Sequence, residues 1–139
     1  MRYMVPEVNP EVVKQLAPTG TLRAAINMSN FLLVVGKTDE GAPIGPSPGI
    51  ALAIAAALDV PVEFVPFRTP SEIVDAAGTG VWDIANIGAE PQRAALMDFT
   101  AAYAEIESTY LVPAGSSLSS WIERPTPCPE VQALAAVFT

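Results

Sequence analysis

The chain has 139 residues, of which half are apolar, and its net charge at pH 7 is −8. This length predicts one globular domain, and the acidic balance without a basic stripe argues against a nucleic-acid partner. The sequence has no histidine and a single cysteine, Cys128. It therefore excludes Ser-His-Asp and Cys-His catalysis, a histidine-ligated metal site and an internal disulfide, and we expect neither a metal ion nor a cofactor.

Two features of the sequence bear on location. No apolar run reaches the roughly 18 residues that a transmembrane helix needs. Residues 1–20 lack the basic-then-apolar pattern of a signal peptide, since Pro6 and Glu7 stand where its apolar core would be. The sequence as it stands therefore predicts a cytoplasmic location.

Apolar periodicity and the placement of proline and glycine predict alternating helices and strands. In chain order these are a helix over 10–16, a strand over 21–27, an apolar run over 31–35 with a hairpin turn at 38–41, a helix over 48–58 capped by Ser47, a strand over 60–67, a helix from 70 to Gly78, a strand over 82–87, a short helix from Pro91 and a long strand ending at Val112. This order predicts an α/β fold, a three-layer, open and mostly parallel sheet with helices on both faces.

The composition changes after the last predicted strand. A stretch rich in serine is followed by several prolines and by the apolar segment VQALAAVF, which fits either a short helix or a strand. We therefore divide the chain into an N-terminal extension with a short helix (1–20), a lobe (21–113) and a linker-like tail (114–139).

Arg93, one of only seven basic residues, is the strongest candidate for a functional side chain. Ligands of parallel α/β sheets bind at the carboxyl ends of the strands, where the loops 27–30, 67–69 and 88–93 would converge. A guanidinium offers a planar, bidentate fork to a carboxylate, and a helix beginning near Pro91 would favour the anion. The alternative is a surface ion pair with Glu90 at i,i+3 spacing, worth about 0.2–0.5 kcal/mol.

Other residues near this edge allow two interpretations. Asn86, among apolar neighbours at a strand end, either contacts a ligand or hydrogen-bonds the backbone. Gly88 is explained by a tight turn, with its amide as an incidental donor. Phe31 lies in a loop facing the proposed site, where it is either a ligand contact or a core residue.

Several aromatic and acidic residues are interpreted structurally. Trp82, Phe99 and Tyr103 flank apolar strands, which favours positions in the core over ligand stacking. Asp83 and Asp98 are interpreted as solvated residues at element boundaries rather than as a pair of catalytic carboxylates.

Four segments occur in a characteristic order: GTLRAAIN, GIALAIAAALDVPVEF, GVWDIANIGAEPQRAALMDFTAAY and TYLVPAGS. Together they resemble the solute-binding proteins of bacterial ABC transporters, family 3, the polar amino-acid type with the type II periplasmic-binding-protein fold. The resemblance covers about residues 16–120, and its most specific part is the pattern xxPxRxxxxDFTxxY, which includes Arg93.

The resemblance implies a protein of two α/β lobes with an amino acid or another small carboxylate bound between them. It implies that Arg93 binds the α-carboxylate, assisted by Asn86 and Gly88. The loop after the first strand would contribute Asn27, Asn30 or Phe31. Members of the family are usually periplasmic, and a full-length form would have an ABC permease as its partner.

The chain also departs from the family pattern. Pro48 and Gly49 stand where an acidic residue is common, and Ala102 replaces a proline. The sequence stops where the second lobe should begin, and the segment that normally returns to complete the first lobe is not recognisable. The resemblance therefore implies a truncated or frame-disrupted member, with residues 114–139 as a remnant of the second lobe.

These observations favour a non-enzymatic amino-acid-binding lobe. The alternative is a lobe without ligand that forms a homodimer through an unpaired sheet edge at residues 103–112. An enzyme is the third hypothesis, because some relatives of this fold are dehydratases or cell-wall lyases. It is disfavoured because histidine is absent and no paired carboxylates are recognisable near Arg93.

Overall fold

The computed structural model of the protein describes residues 8–106, 114–115 and 132–138. The elements in chain order are α1 (Pro10–Leu16), β1 (Leu22–Asn27), β2 (Gly36–Lys37), β3 (Pro43–Ile44), α2 (Pro46–Leu58), β4 (Val62–Phe67), α3 (Pro70–Asp75), β5 (Ile84–Ala89), α4 (Pro91–Ala94), β6 (Asp98–Phe99), β7 (Ala104–Ile106) and β8 (Gln132–Phe138). Each of the four helices has a proline in its first turn, where a missing N–H is not needed for the helix.

The main sheet has six strands in the order β4-β1-β5-β8-β6, with β7 also paired to β8. β1 runs parallel to β4 along its whole length and parallel to β5, so that α2 and α3 form the two crossovers. β8 is antiparallel to each of its three partners. The predicted α/β fold with a mostly parallel sheet is therefore confirmed, and β2 and β3 form a small separate hairpin.

The antiparallel strand β8 corrects one expectation from the sequence. No returning segment was recognisable, yet residues 132–138 lie between β5 and the pair β6 and β7. The apolar segment that fitted either a helix or a strand is thus a strand.

The sequence predicted one long strand after α4. Within the described residues this prediction is wrong, because two short strands, β6 and β7, are found there, separated by residues 100–103. Ile106 at the end of β7 pairs with Gln132 at the start of β8. Residues 104–106 of the edge proposed for dimerisation thus pair with β8, and residues 107–112 of that edge lie outside the described residues.

Two apolar clusters cover the two faces of the sheet. Alternate residues of β1 point to opposite faces, so Leu22, Ala24 and Ile26 belong to the first cluster and Ala25 to the second. Helices α1 and α2 cover the first face. Helix α3 covers the second, whose largest buried side chain is Trp82.

The aromatic residues predicted to lie in the core divide between buried and exposed positions. Trp82 is buried and its indole N–H donates to the carbonyl of Ile73 in α3 (3.1 Å). Phe99 packs at the margin of the second cluster. Tyr103 is 39% exposed, so the expectation that it is a core residue is wrong.

A buried ion pair joins β1 to the residues just before β5. Arg23 donates from its backbone N–H and from Nε to one carboxylate oxygen of Asp83 (2.8 and 2.9 Å) and from Nη2 to the other (2.5 Å). Asp83 is only 6% exposed, and its own N–H donates to the carbonyl of Arg23. The side-chain hydrogen bonds that Arg23 donates to Asp83 raise the pKa of Arg23. The interpretation of Asp83 as a solvated residue is therefore wrong, whereas Asp98 is exposed as expected.

We predict that Asp83→Asn lowers the free energy of unfolding by about 1–3 kcal/mol, because it removes the opposite charge from a partly buried guanidinium, whose hydrogen bond to the carbonyl of Gly80 remains. Urea denaturation followed by circular dichroism measures the change. Asp98→Asn is the matched control, since it removes the same charge from an exposed position and should change stability by less than about 0.5 kcal/mol. Equal stabilities of the two variants would contradict the prediction.

A second prediction concerns β8. Ala133 pairs with Ala89 of β5 on one side and with Glu105 of β7 on the other. Because β8 has a neighbour on each side, a proline at position 133 removes a hydrogen bond between strands, whichever neighbour accepts from the N–H of Ala133. We expect Ala133→Pro to lower the free energy of unfolding by about 2–4 kcal/mol. Ala102→Pro, at an exposed position outside any strand, is the control. A thermal melt unchanged by Ala133→Pro would show that β8 does not hold the sheet together.

Candidate functional site

The parallel strands β4, β1 and β5 end at the same edge of the sheet, as the sequence predicted, and the loops after them contain the candidate residues. After β1 the chain turns at once, because the side-chain oxygen of Asn27 accepts from the N–H and hydroxyl of Ser29 (3.1 and 2.8 Å). The side-chain oxygen of Asn30 accepts from the N–H of Leu32 (3.1 Å). Both asparagine oxygens therefore shape this loop.

The loop after β1 is held against the start of α2. The N–H of Ser47 donates to the carbonyl of Leu33 (3.1 Å). Gly45 allows this approach, since its φ is 149° and an added Cβ would lie 2.3 Å from the carbonyl oxygen of Leu33. The loop leaves the ring of Phe31 80% exposed at this edge. Phe31 is thus available to a ligand and is not a core residue.

Arg93 lies in α4, directly after β5, and its side chain turns back over the end of that strand. Nη1 donates to the carbonyl of Gly88 (2.8 Å) and lies 3.3 Å from a carboxylate oxygen of Glu90. The side chain is 17% exposed. The i,i+3 pair with Glu90 that the sequence offered as an alternative is therefore present, and Gly88 contributes a carbonyl to the site.

Arg93 lines an open cleft of about 390 Å³ between α3 and α4. The other residues of the cleft are Ser71, Val74, Asp75, Glu90, Gln92 and Leu96. One arginine and two carboxylates give the cleft a formal charge of −1. The sequence showed no paired carboxylates near Arg93, and the structure places two carboxylates, those of Asp75 and Glu90, in the lining of the same cleft.

Sequence reasoning did not anticipate the contribution of α3 to this cleft. Ser71 and Asp75 are four residues apart and so lie on one face of the helix. That spacing was visible in the sequence. Nothing in it indicated that this face of α3 turns towards α4.

Asn86 lies on the other side of the sheet from this cleft. Its side chain is 3% exposed, and its amide donates to the hydroxyl and the carbonyl of Ser47 (3.1 and 3.4 Å). Its side-chain oxygen is buried and has no hydrogen-bond partner among the described residues. The structure therefore separates Asn86 from Arg93 and connects it to α2.

The contact with Asn86 also explains an error at the start of α2. Ser47 was predicted as the N-cap, but the helix begins at Pro46 with Gly45 in the capping position. Ser47 is buried within the first turn, where its hydroxyl accepts from Asn86. The close approach of Leu33 requires a glycine immediately before the helix, and this requirement fixes where the helix begins.

A second cleft, of about 330 Å³, was not anticipated from the sequence. It lies between the β2–β3 hairpin and β4, with Met28, Phe64 and Pro66 among its apolar residues and Lys37 and Glu40 at its rim. None of the six candidate residues lines it. The structure thus distributes those residues over the Arg93 cleft, the exposed loop at Phe31 and the buried contact under α2.

The described part of the chain offers neither a metal site nor a membrane-spanning helix. No group of three or more acidic, cysteine or histidine side chains there could hold a metal ion. Within residues 8–106, 114–115 and 132–138, no helix is both long and apolar enough to cross a membrane.

Comparisons with known proteins give a consistent result. Residues 22–129 match the family described as bacterial extracellular solute-binding proteins, family 3. The ancestral cationic amino acid solute-binding protein AncCDT-1 is 30% identical over 68% of this chain, with a TM-score of 0.58. The ancestral cyclohexadienyl dehydratase AncCDT-3 is 25% identical over 67% of it, with a TM-score of 0.58. No protein with curated function matches the chain.

A third solved structure is similar over almost the whole chain. Domain 1 of TmArgBP, as a point mutant in its arginine-bound form, covers 91% of this chain and is itself covered to 83%, with 15% identity and a TM-score of 0.61. The chain spans only 41% of AncCDT-1 and 39% of AncCDT-3. Its length thus corresponds to one domain of such proteins.

We predict that Ser47→Ala lowers the free energy of unfolding by about 1–2 kcal/mol, because the buried amide of Asn86 then retains only the longer bond to a carbonyl. Ser71→Ala, at an exposed position in α3, should have little effect. Chemical denaturation of both variants compares them. Equal midpoints would show that the Asn86–Ser47 contact does not stabilise the fold.

Proposed function

As the chain belongs to family 3 of the bacterial extracellular solute-binding proteins, we propose that it is an amino-acid-binding lobe in which Arg93 binds the carboxylate of the ligand. The observation that carries the proposal is the position of the Arg93 guanidinium. It is fixed at the carboxyl end of β5 by the carbonyl of Gly88 and borders an open cleft. A fixed, partly buried arginine at this edge is suited to a small anion.

The donor capacity of Arg93 supports this role. A guanidinium has five N–H donors, and the carbonyl of Gly88 uses one of them. A carboxylate can accept two parallel hydrogen bonds from the remaining donors. The 17% exposure of the side chain reduces solvent screening of such a pair compared with a fully exposed arginine.

The similar proteins of known structure support an amino acid as the ligand. AncCDT-1 is described as a cationic amino acid solute-binding protein, and domain 1 of TmArgBP as arginine-bound. In that second protein an isolated domain of this fold holds an amino acid. We propose that a full-length form of the present protein would add a second lobe and an ABC permease as partner.

We propose that the lobe binds its ligand without transforming it, although AncCDT-3 is described as a dehydratase. Asp75 is exposed and Glu90 is 37% exposed, so the two carboxylates of the cleft are open to water. Acid–base catalysis by carboxylates usually depends on a site that excludes water. The family is described as extracellular, whereas the cytoplasmic location inferred from residues 1–20 stays a prediction.

We expect titration calorimetry with each of the twenty amino acids to give binding heat for one or more of them. Arg93→Ala should weaken that binding about ten- to a hundredfold, because a hydrogen-bonded charge pair is lost. Mass spectrometry should recover the ligand unchanged.

Lys14→Ala is the matched control. Its side chain is 73% exposed on α1, which covers the sheet face opposite the Arg93 cleft, and the substitution removes the same charge from the protein. Binding by this variant should equal that of the unmodified chain. Absence of heat with every amino acid, or equal affinities of Arg93→Ala and Lys14→Ala, would contradict the proposal.

A further inference from the structure

We propose that Glu90 is an internal competitor for Arg93 and thereby selects ligands that carry an ammonium group beside their carboxylate. The inference rests on the proposed function in taking Arg93 as the carboxylate-binding residue. It adds a discriminating residue, Glu90, which disfavours carboxylic acids without an amino group.

The contact geometry gives the reason. A carboxylate oxygen of Glu90 lies 3.3 Å from Nη1 of Arg93, the same nitrogen that donates to the carbonyl of Gly88. Both side chains border the cleft. A ligand carboxylate that approaches Arg93 from the cleft therefore meets a guanidinium already paired with an anion. It must displace Glu90 or share the guanidinium with it.

The charge of the cleft determines which ligands tolerate this arrangement. Asp75, Glu90 and Arg93 sum to −1 before a ligand arrives. A simple carboxylate brings the sum to −2 and faces the repulsion of the displaced Glu90. A zwitterion leaves the sum at −1, and its ammonium can pair with the carboxylate that its own carboxylate displaces.

Capping of α4 is the structural role that Glu90 could have instead, and it can be distinguished from competition for Arg93. Glu90 occupies the N-cap position of α4, but its side chain makes no capping hydrogen bond. Its replacement therefore removes no cap from the helix. A threonine at this position can accept a hydrogen bond from the first turn, so Glu90→Thr keeps the helix start intact even if Glu90→Gln does not.

The test titrates sodium acetate, and separately glycine, into the 139-residue chain at constant ionic strength. Chemical shifts of the Arg93 Nε–H group, assigned by its loss in Arg93→Lys, report on binding. We expect Glu90→Gln and Glu90→Thr to bind acetate about two- to fivefold more tightly than the unmodified chain. The preference for glycine over acetate should shrink in both variants, because glycine is acetate with an added ammonium group.

Glu11→Gln is the matched control. Glu11 forms an i,i+3 ion pair with Lys14 on α1 (2.9 Å), so this substitution removes the same charge from the same kind of pair far along the chain. It should leave acetate affinity unchanged. Far-ultraviolet circular dichroism verifies that each variant is folded.

The outcomes separate the two proposals. Equal acetate affinity in the Glu90 variants, the control and the unmodified chain overturns the competition. Tighter acetate binding by the Glu90 variants, combined with no binding of any amino acid, supports competition between Glu90 and a carboxylate for Arg93 but refutes both the selection of amino acids and the proposed function. If acetate shifts the Arg93 signal in none of the proteins, Arg93 binds no carboxylate and both proposals fail.

Discussion

The pairing of β8 with strands on both of its sides is the constraint on which the candidate site depends. Gly88 of β5 and Ala104 of β7 both lie opposite Leu134, and β5 makes no direct pairing with β6 or β7. The segment 90–97, which includes α4 and Arg93, bridges β5 and β6 over this strand. The span that α4 bridges therefore depends on residues far along the chain, whereas the hydrogen bond from Arg93 to the carbonyl of Gly88 is local.

The elements that are encoded locally could be predicted from the sequence. The apolar run that forms β1 and the prolines at the helix starts are properties of neighbouring residues. The segment forming β8 was ambiguous because its partners lie elsewhere in the chain. The ion pair between Arg23 and Asp83 joins residues 60 positions apart, and charged residues at such separations carry no pairing signal in one sequence.

The same reasoning explains which parts of the site could be predicted. Arg93 follows a buried strand in a motif with fixed spacing, so its location at the strand end is a local property. Asn86 was placed in the same site, but strand residues alternate between faces. Asn86 shares its face with Ile84, which packs in the cluster under α2, whereas Ala85 and Ile87 face α3. Because side chains of a strand alternate with a period of two, the sequence itself places Asn86 on the face opposite Ala85 and Ile87.

The pairing of Ile106 with Gln132 gives the lobe an unusual freedom to evolve. These two residues lie opposite each other in one antiparallel ladder, about 5 Å apart, so the two ends of the segment 107–131 are close together. The entropic cost of closing a loop there rises only with the logarithm of its length. A short connection or an entire inserted domain could thus be exchanged at this point while the register of β7, β8 and β5 stays the same. Gain or loss of a second lobe would then need no change in the strands that position Arg93.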